Sequence, residues 1–213
     1  MRIAILLFDK MTSLDAIGPY EVLRFAHEAD VVFTGKKKGE IRAGSGTLGL
    51  MVDRPISEVD SADILLVPGG PGQVDLMDDA EVHEWLRQVD QTSTWTASVC
   101  TGSLVLAAAG LLTGRKATSH WLALDQLPAF GVEPAEQRVV FDGKYVTAAG
   151  VSAGIDMALQ LANRIAGDTA AQAIQLGLEY DPQPPHDAGS PTKAPAAIVA
   201  NMRENSRFFL QDT

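Results

Sequence analysis

Apolar residues in this chain gather into short runs bounded by turn-formers, and between those runs they recur at helical spacing. Arg2–Phe8, Val31–Thr34, Ile64–Val67 and Thr94–Val99 predict strands, the last two with the unbroken apolar or small character of a sheet buried on both faces. Ile41–Ala43 and Leu48–Val52 flank Gly44-Ser45-Gly46, and Arg138–Phe141 and Tyr145–Ala148 bracket Asp142-Gly143, so each pair predicts a hairpin. Helices are predicted at Gly18–His27, with Pro19 at its first position, and at Asp79–Gln91, with Val82, Trp85, Leu86 and Val89 on one face. Further helices are predicted at Leu104–Ala109, ended by Gly110, and as a short element around Leu122–Leu127. Val151–Gly154 opens a long helix, Ile155–Ala166, whose Ile155, Leu159, Ala162 and Ile165 read as a core stripe, and Thr169–Leu178 follows. Tyr180–His186 holds too many prolines for regular structure, and Ala196–Leu210 recovers a polar amphipathic helix. Strands alternating with helices, without a repeat or a dividing linker, predict one α/β domain with a doubly wound, mostly parallel sheet between helices.

Charge narrows the function. With 17 Lys and Arg against 27 Asp and Glu the net charge is −10, and no basic run exceeds Lys36-Lys37-Lys38, which argues against nucleic acid as a partner. The apolar run near the N-terminus is too short for a signal sequence, and no stretch approaches the roughly 18 apolar residues of a membrane span. A single cysteine excludes an internal disulfide and any cysteine-based metal cluster. These features predict a cytoplasmic protein without a membrane partner.

That cysteine, Cys100, falls where the Thr94–Val99 strand gives way to Thr101-Gly102-Ser103 and an apolar helix. A lone cysteine is most often a small buried hydrophobe. A strand-to-helix elbow instead exposes its side chain above the carboxyl edge of the sheet and aims helix N–H groups at the sulfur, favouring the nucleophilic thiolate. Two other loops are expected at the same edge. One carries Asp15, read as a loop carboxylate because Pro19 places the helix cap at Gly18; the other is Pro68-Gly69-Gly70-Pro71-Gly72, whose glycines allow close backbone approach and an oxyanion or substrate site at Gly69, Gly70 and Gly72. Thr101 adds a hydroxyl and an N–H beside the sulfur. His120 is a candidate to orient or deprotonate the thiol, although a histidine beside a tryptophan is more often simply packed.

These residues resemble a known family. Leu14-Asp15 with Gly18-Pro19-Tyr20-Glu21, Pro68-Gly69-Gly70, Ser98-Val99-Cys100-Thr101-Gly102-Ser103, Ala117-Thr118-Ser119-His120-Trp121, Ala153-Gly154-Ile155-Asp156 and Leu178-Glu179-Tyr180 are similar to motifs of the PfpI-like superfamily. The nearest branch is that of the isonitrile (isocyanide) hydratases. The resemblance implies a flavodoxin-like, class I glutamine-amidotransferase-like fold over 1–195, with 196–213 a helical tail. It implies a hydro-lyase that converts isonitriles to N-substituted formamides, acting as a homodimer without metal or organic cofactor. Carried onto this chain, Cys100 is the nucleophile, Asp15 the general acid and base, and Thr101 the residue that positions the thiol. Peptidase branches place histidine directly after the cysteine, where this chain has Thr101. Another activity on the same scaffold, such as amide hydrolysis or aldehyde hydration, and a non-catalytic redox- or ligand-sensing domain are the remaining alternatives.

Overall fold

The computed structural model describes residues 1–26 and 29–206. In chain order its strands are β1 (Arg2–Leu6), β2 (Asp30–Gly35), β3 (Gly39–Ala43), β4 (Leu48–Val52), β5 (Arg54–Pro55), β6 (Ile64–Val67), β7 (Trp95–Val99), β8 (Lys116–Ala117), β9 (Glu133–Pro134), β10 (Val139–Asp142) and β11 (Tyr145–Ala148). Its helices are α1 (Ser13–Leu23), α2 (Ala80–Thr92), α3 (Gly102–Ala108), α4 (Ala153–Ala166), α5 (Asp168–Gly177) and α6 (Ala196–Glu204).

The main sheet runs β10-β11-β7-β6-β1-β2-β5, with every neighbouring pair parallel except the β10–β11 hairpin. From β1 the chain winds outward to β2 in one direction and through β6, β7 and β11 in the other. The switch in winding therefore falls between β1 and β6, whose carboxyl ends open the crevice where such sheets bind ligands. The central strands are wholly apolar or small because helices cover both faces: Ile3, Ile5, Ile64, Leu66, Ala97 and Val99 are all fully buried. The doubly wound α/β architecture and both hairpins are as the sequence predicts.

Three elements differ from expectation. α1 begins at Ser13, not Gly18, so Asp15 lies in the first helical turn and Pro19 inside the helix. Pro19 has no N–H for the Asp15 carbonyl, but packing compensates, because Gly18 lies against Ile155 and the Pro19 ring against Gly154. The predicted stripe of α4 is also shifted: the predicted Ala162 is buried and Ile155 and Leu159 pack partly buried against the core, but Met157, Ala158 and Leu161 are buried as well and Ile165 is exposed. Small residues on that face let α4 sit close to the sheet, with Gly154 against Val99. The short element around Leu122–Leu127 is a 3-10 helix at Leu124–Phe130, which contains Pro128. His27, at the end of the first predicted helix, and the last residues of the Ala196–Leu210 helix lie outside the described residues; within them α6 ends at Glu204. No helix among the described residues is long and apolar enough to cross a membrane.

Candidate active site

Three neighbouring strands deliver the chemical groups. Cys100 follows β7, the Gly69-Gly70 turn follows β6, and Asp15 sits on the helix after β1. The elbow is strained, because Cys100 has φ of 58°, a left-handed conformation that costs a non-glycine residue about 1–3 kcal/mol. Several contacts hold it there. The Cys100 N–H donates to the Ala148 carbonyl (3.0 Å) and the Ala149 carbonyl (2.8 Å) at the end of β11. The Cys100 carbonyl accepts from the hydroxyls of Ser103 (3.3 Å) and Ser119 (3.1 Å). Gly102 completes the elbow, since a Cβ there would overlap the Val67 carbonyl and push α3 off the sheet.

Asp15 is fully buried, and its Oδ2 accepts the Gly69 N–H at 2.9 Å. Its Oδ1 is buried without a well-formed hydrogen bond, while the Cys100 thiol lies near enough to interact with the carboxyl. Burial raises the carboxyl from its ordinary 3.8 to about 7, against the Gly69 N–H and the thiol, which both favour ionisation. A carboxyl so tuned gives and takes protons near neutrality.

Cys100 differs from the thiolate expected at a helix start. Burial and the neighbouring Asp15 charge raise its pKa well above the ordinary value, and the N–H and hydroxyl of Thr101 only partly offset this. This favours a neutral thiol beside the Asp15 carboxyl. Sequence reading overlooked this because it weighed the helix dipole and not the desolvation of a side chain with no exposed surface.

The glycine turn organises the pair. Gly69 N–H holds Asp15, Gly70 N–H donates to Thr101 Oγ1 at 3.0 Å, and Gly72 N–H donates to the Lys10 carbonyl at 3.3 Å. All three amides are thus engaged within the fold. A Cβ on Gly69 would overlap the Thr101 nitrogen and hydroxyl. Gly69→Ala is therefore expected to move the Asp15 carboxyl away from Cys100 and lower kcat/KM by about 100-fold, as misplacements near 1 Å do; steady-state kinetics on the folded variant checks this.

His120 stands behind the loop after β11, with its ring against Gly150. Its Nδ1 accepts the Leu122 N–H at 3.3 Å, and burial lowers its pKa from 6.5 to about 4, so the ring is neutral. Ser103 and Ser119 stand in the quoted motifs without an assigned role, and the Ala148 and Ala149 carbonyls escaped the sequence reading, because the folded sheet brings them to Cys100. Cys100, Asp15 and Thr101 are all closed off from solvent, and concavities of 250 Å³ between α4 and α5 and 340 Å³ at the amino edge of the sheet lie elsewhere. Among the described residues no cluster of three or more His, Cys, Asp or Glu is placed to hold a metal ion.

The DJ-1/PfpI family model matches residues 1–164. The chain belongs to the DJ-1/PfpI family. Among DJ-1/PfpI relatives it is 41% identical over 206 residues to the isonitrile hydratase of Pseudomonas putida, covering 97% of this chain and 90% of that protein. The crystal structure of a THiJ/PfpI family protein from Pseudomonas syringae superposes with a TM-score of 0.93 at 36% identity, over 96% of this chain and 85% of the other. Drosophila melanogaster DJ-1beta shares the fold at a TM-score of 0.76 and 24% identity, over 85% of this chain and 98% of its own.

Proposed function

We propose that this protein is an isonitrile hydratase, a hydro-lyase that adds water to R–N≡C and releases the N-substituted formamide. The observation that carries the reading is a fully buried thiol beside a buried carboxyl tuned to about 7, with Thr101 where a peptidase branch has its histidine. The high identity to the Pseudomonas putida enzyme along nearly the whole chain supports the substrate class. The terminal carbon of an isonitrile is the slim end of a linear group, suited to an enclosed sulfur.

Cys100 is the nucleophile. Its sulfur bonds to the terminal carbon, and the thiol proton passes through Asp15 to that same carbon, giving the neutral thioimidate S–CH=N–R. Water then attacks this carbon while Asp15 accepts one of its protons. The tetrahedral carbon expels sulfur, one water proton ends on nitrogen and the other returns to the thiol, so the sum is R–N≡C plus water giving the formamide. The N–H and hydroxyl of Thr101 stabilise the negative sulfur when it forms and when it leaves. Gly69 fixes the carboxyl and Gly70 fixes Thr101, so the substrate-binding role assigned to the turn becomes one of holding catalytic groups.

The reading extends to a homodimer in the cytoplasm, composed of a catalytic domain, 1–195, and a helical tail, 196–213. Support for the pairing is the apolar surface left open on the last helices, where Leu176 is 78% and Ile198 51% exposed. Support for the tail as an appendage is the Arg203 guanidinium over the Trp121 ring, 5.4 Å from its centre.

The reactive form of the Cys100–Asp15 pair carries one proton, because with two the carboxyl can no longer accept the one that sulfur must shed. Formamide production from cyclohexyl isonitrile should therefore rise as pH increases through about 7 and level off above it, the apparent value belonging to the pair. A folded enzyme with a free thiol that forms no formamide at any pH refutes the hydratase reading.

A further inference from the structure

Two segments singled out in the sequence, Ala153-Gly154-Ile155-Asp156 and Leu178-Glu179-Tyr180, have no part in the chemistry at Cys100, yet the fold joins them. The Tyr180 hydroxyl donates to Asp156 Oδ1 at 2.9 Å, and Arg138 Nε donates to the other oxygen, Oδ2. The same guanidinium reaches Ser152 Oγ at 3.2 Å. The main chain of Arg138 is linked to the elbow through one residue, for its carbonyl accepts the Ala149 N–H at 2.9 Å, and the Ala149 carbonyl in turn accepts the Cys100 N–H at 2.8 Å.

Arg138 thus grips the 149–152 turn at both ends, by its carbonyl at Ala149 and by its side chain at Ser152 and Asp156. Tyr180 secures Asp156 from the segment beyond α5. This turn supplies a carbonyl that restrains the strained Cys100 backbone, and a φ of 58° persists at a cysteine only where its surroundings overdetermine it. A half-exposed ion pair contributes little stability by itself. Its value here is geometric, because it ties three separate parts of the chain to the support of one amide.

We propose that Arg138, Asp156 and Tyr180 are positioning residues for the nucleophile, a clamp that holds the 149–152 turn and, through it, the Cys100 elbow. The proposal rests on the reading of Cys100 as nucleophile, and its first readout needs no isonitrile. As Cys100 is the single cysteine, its alkylation by iodoacetamide reports the elbow alone. In wild type the buried thiol should react slowly. Arg138→Ala should react at least about fivefold faster with its thermal midpoint little changed, since a local opening then precedes global unfolding. With cyclohexyl isonitrile the same variant should lose about tenfold in kcat at nearly constant KM, the signature of misplaced reacting groups. Arg138→Lys, which keeps one charged contact but not the fork, should fall between wild type and alanine.

Wild-type alkylation in Arg138→Ala overturns the clamp. Faster alkylation in the variant, with no formamide from wild type, sustains the clamp and refutes the hydratase. Should Arg138→Ala not fold, Tyr180→Phe, which removes one hydroxyl, decides: an alkylation rate raised about twofold supports the clamp and an unchanged one overturns it.

Discussion

Cys100→Ala and Cys100→Ser should both reduce formamide production to background, a loss of about 10⁴-fold or more, as removal of a covalent nucleophile commonly produces. The serine variant is the sharper test. A serine hydroxyl ordinarily needs an adjacent base to shed its proton, and the imidazole nearest in sequence, His120, is neutral and packed against Gly150. Asp15, tuned to about 7 for a thiol, is too weak a base for an alcohol. Both variants should remain folded, because the alanine merely trims a small side chain and the serine is nearly isosteric. Unfolding curves close to wild type would assign the loss to chemistry. A mass increase on Cys100 equal to one isonitrile, absent from both variants, would identify the thioimidate. Substantial turnover by Cys100→Ala would mean that the carbon is attacked by water directly, and the covalent route would fall.

What the sequence disclosed follows from which forces are local. Ile64–Val67 is an unbroken β-prone run between turn residues, and the strand has those bounds. Asp142-Gly143 forces a tight reversal because Gly143 accepts φ of 61°, and the hairpin forms there. Asp15, Gly69, Gly70, Cys100 and Thr101 were all recognisable as residues of loops or helix starts at one sheet edge, and they do meet. Long-range packing explains the rest. α1 extends past Pro19 because it docks on α4, a contact about 140 residues away in sequence, and such packing often outweighs local propensity. The buried face of α4 combines Met157 and Leu161 with the small residues Gly154, Ala158 and Ala162, of which Gly154 lets the helix approach Val99 of β7. The charge state of the thiol was misjudged for a related reason. Desolvation is a property of the completed fold, and in the finished site, together with the Asp15 charge, it outweighs the Thr101 N–H and hydroxyl.

Asp15→Asn should abolish most activity and at the same time stabilise the protein above neutral pH. The asparagine carbonyl can still accept the Gly69 N–H, so geometry is retained. It cannot relay a proton, and the loss of a general acid and base is commonly 10²- to 10⁴-fold. The stability change follows from linkage. The folded carboxyl has its pKa raised from 3.8 to about 7, so between these values the native state holds a proton that the unfolded chain has released. Native stability must therefore fall as pH rises through that window and stay reduced above it. The full cost is on the order of a few kcal/mol, at 1.36 kcal/mol for each unit of displacement. Asparagine carries no such penalty. Urea unfolding at pH 4 should show little benefit from the substitution, and at pH 8 the variant should be the more stable protein by a margin that grew across the interval. Parallel pH dependence in the two proteins would mean that Asp15 ionises as readily in the fold as in water. Such a carboxylate would lack the proton affinity needed to carry hydrogen from sulfur to carbon, and the proton relay would need another group.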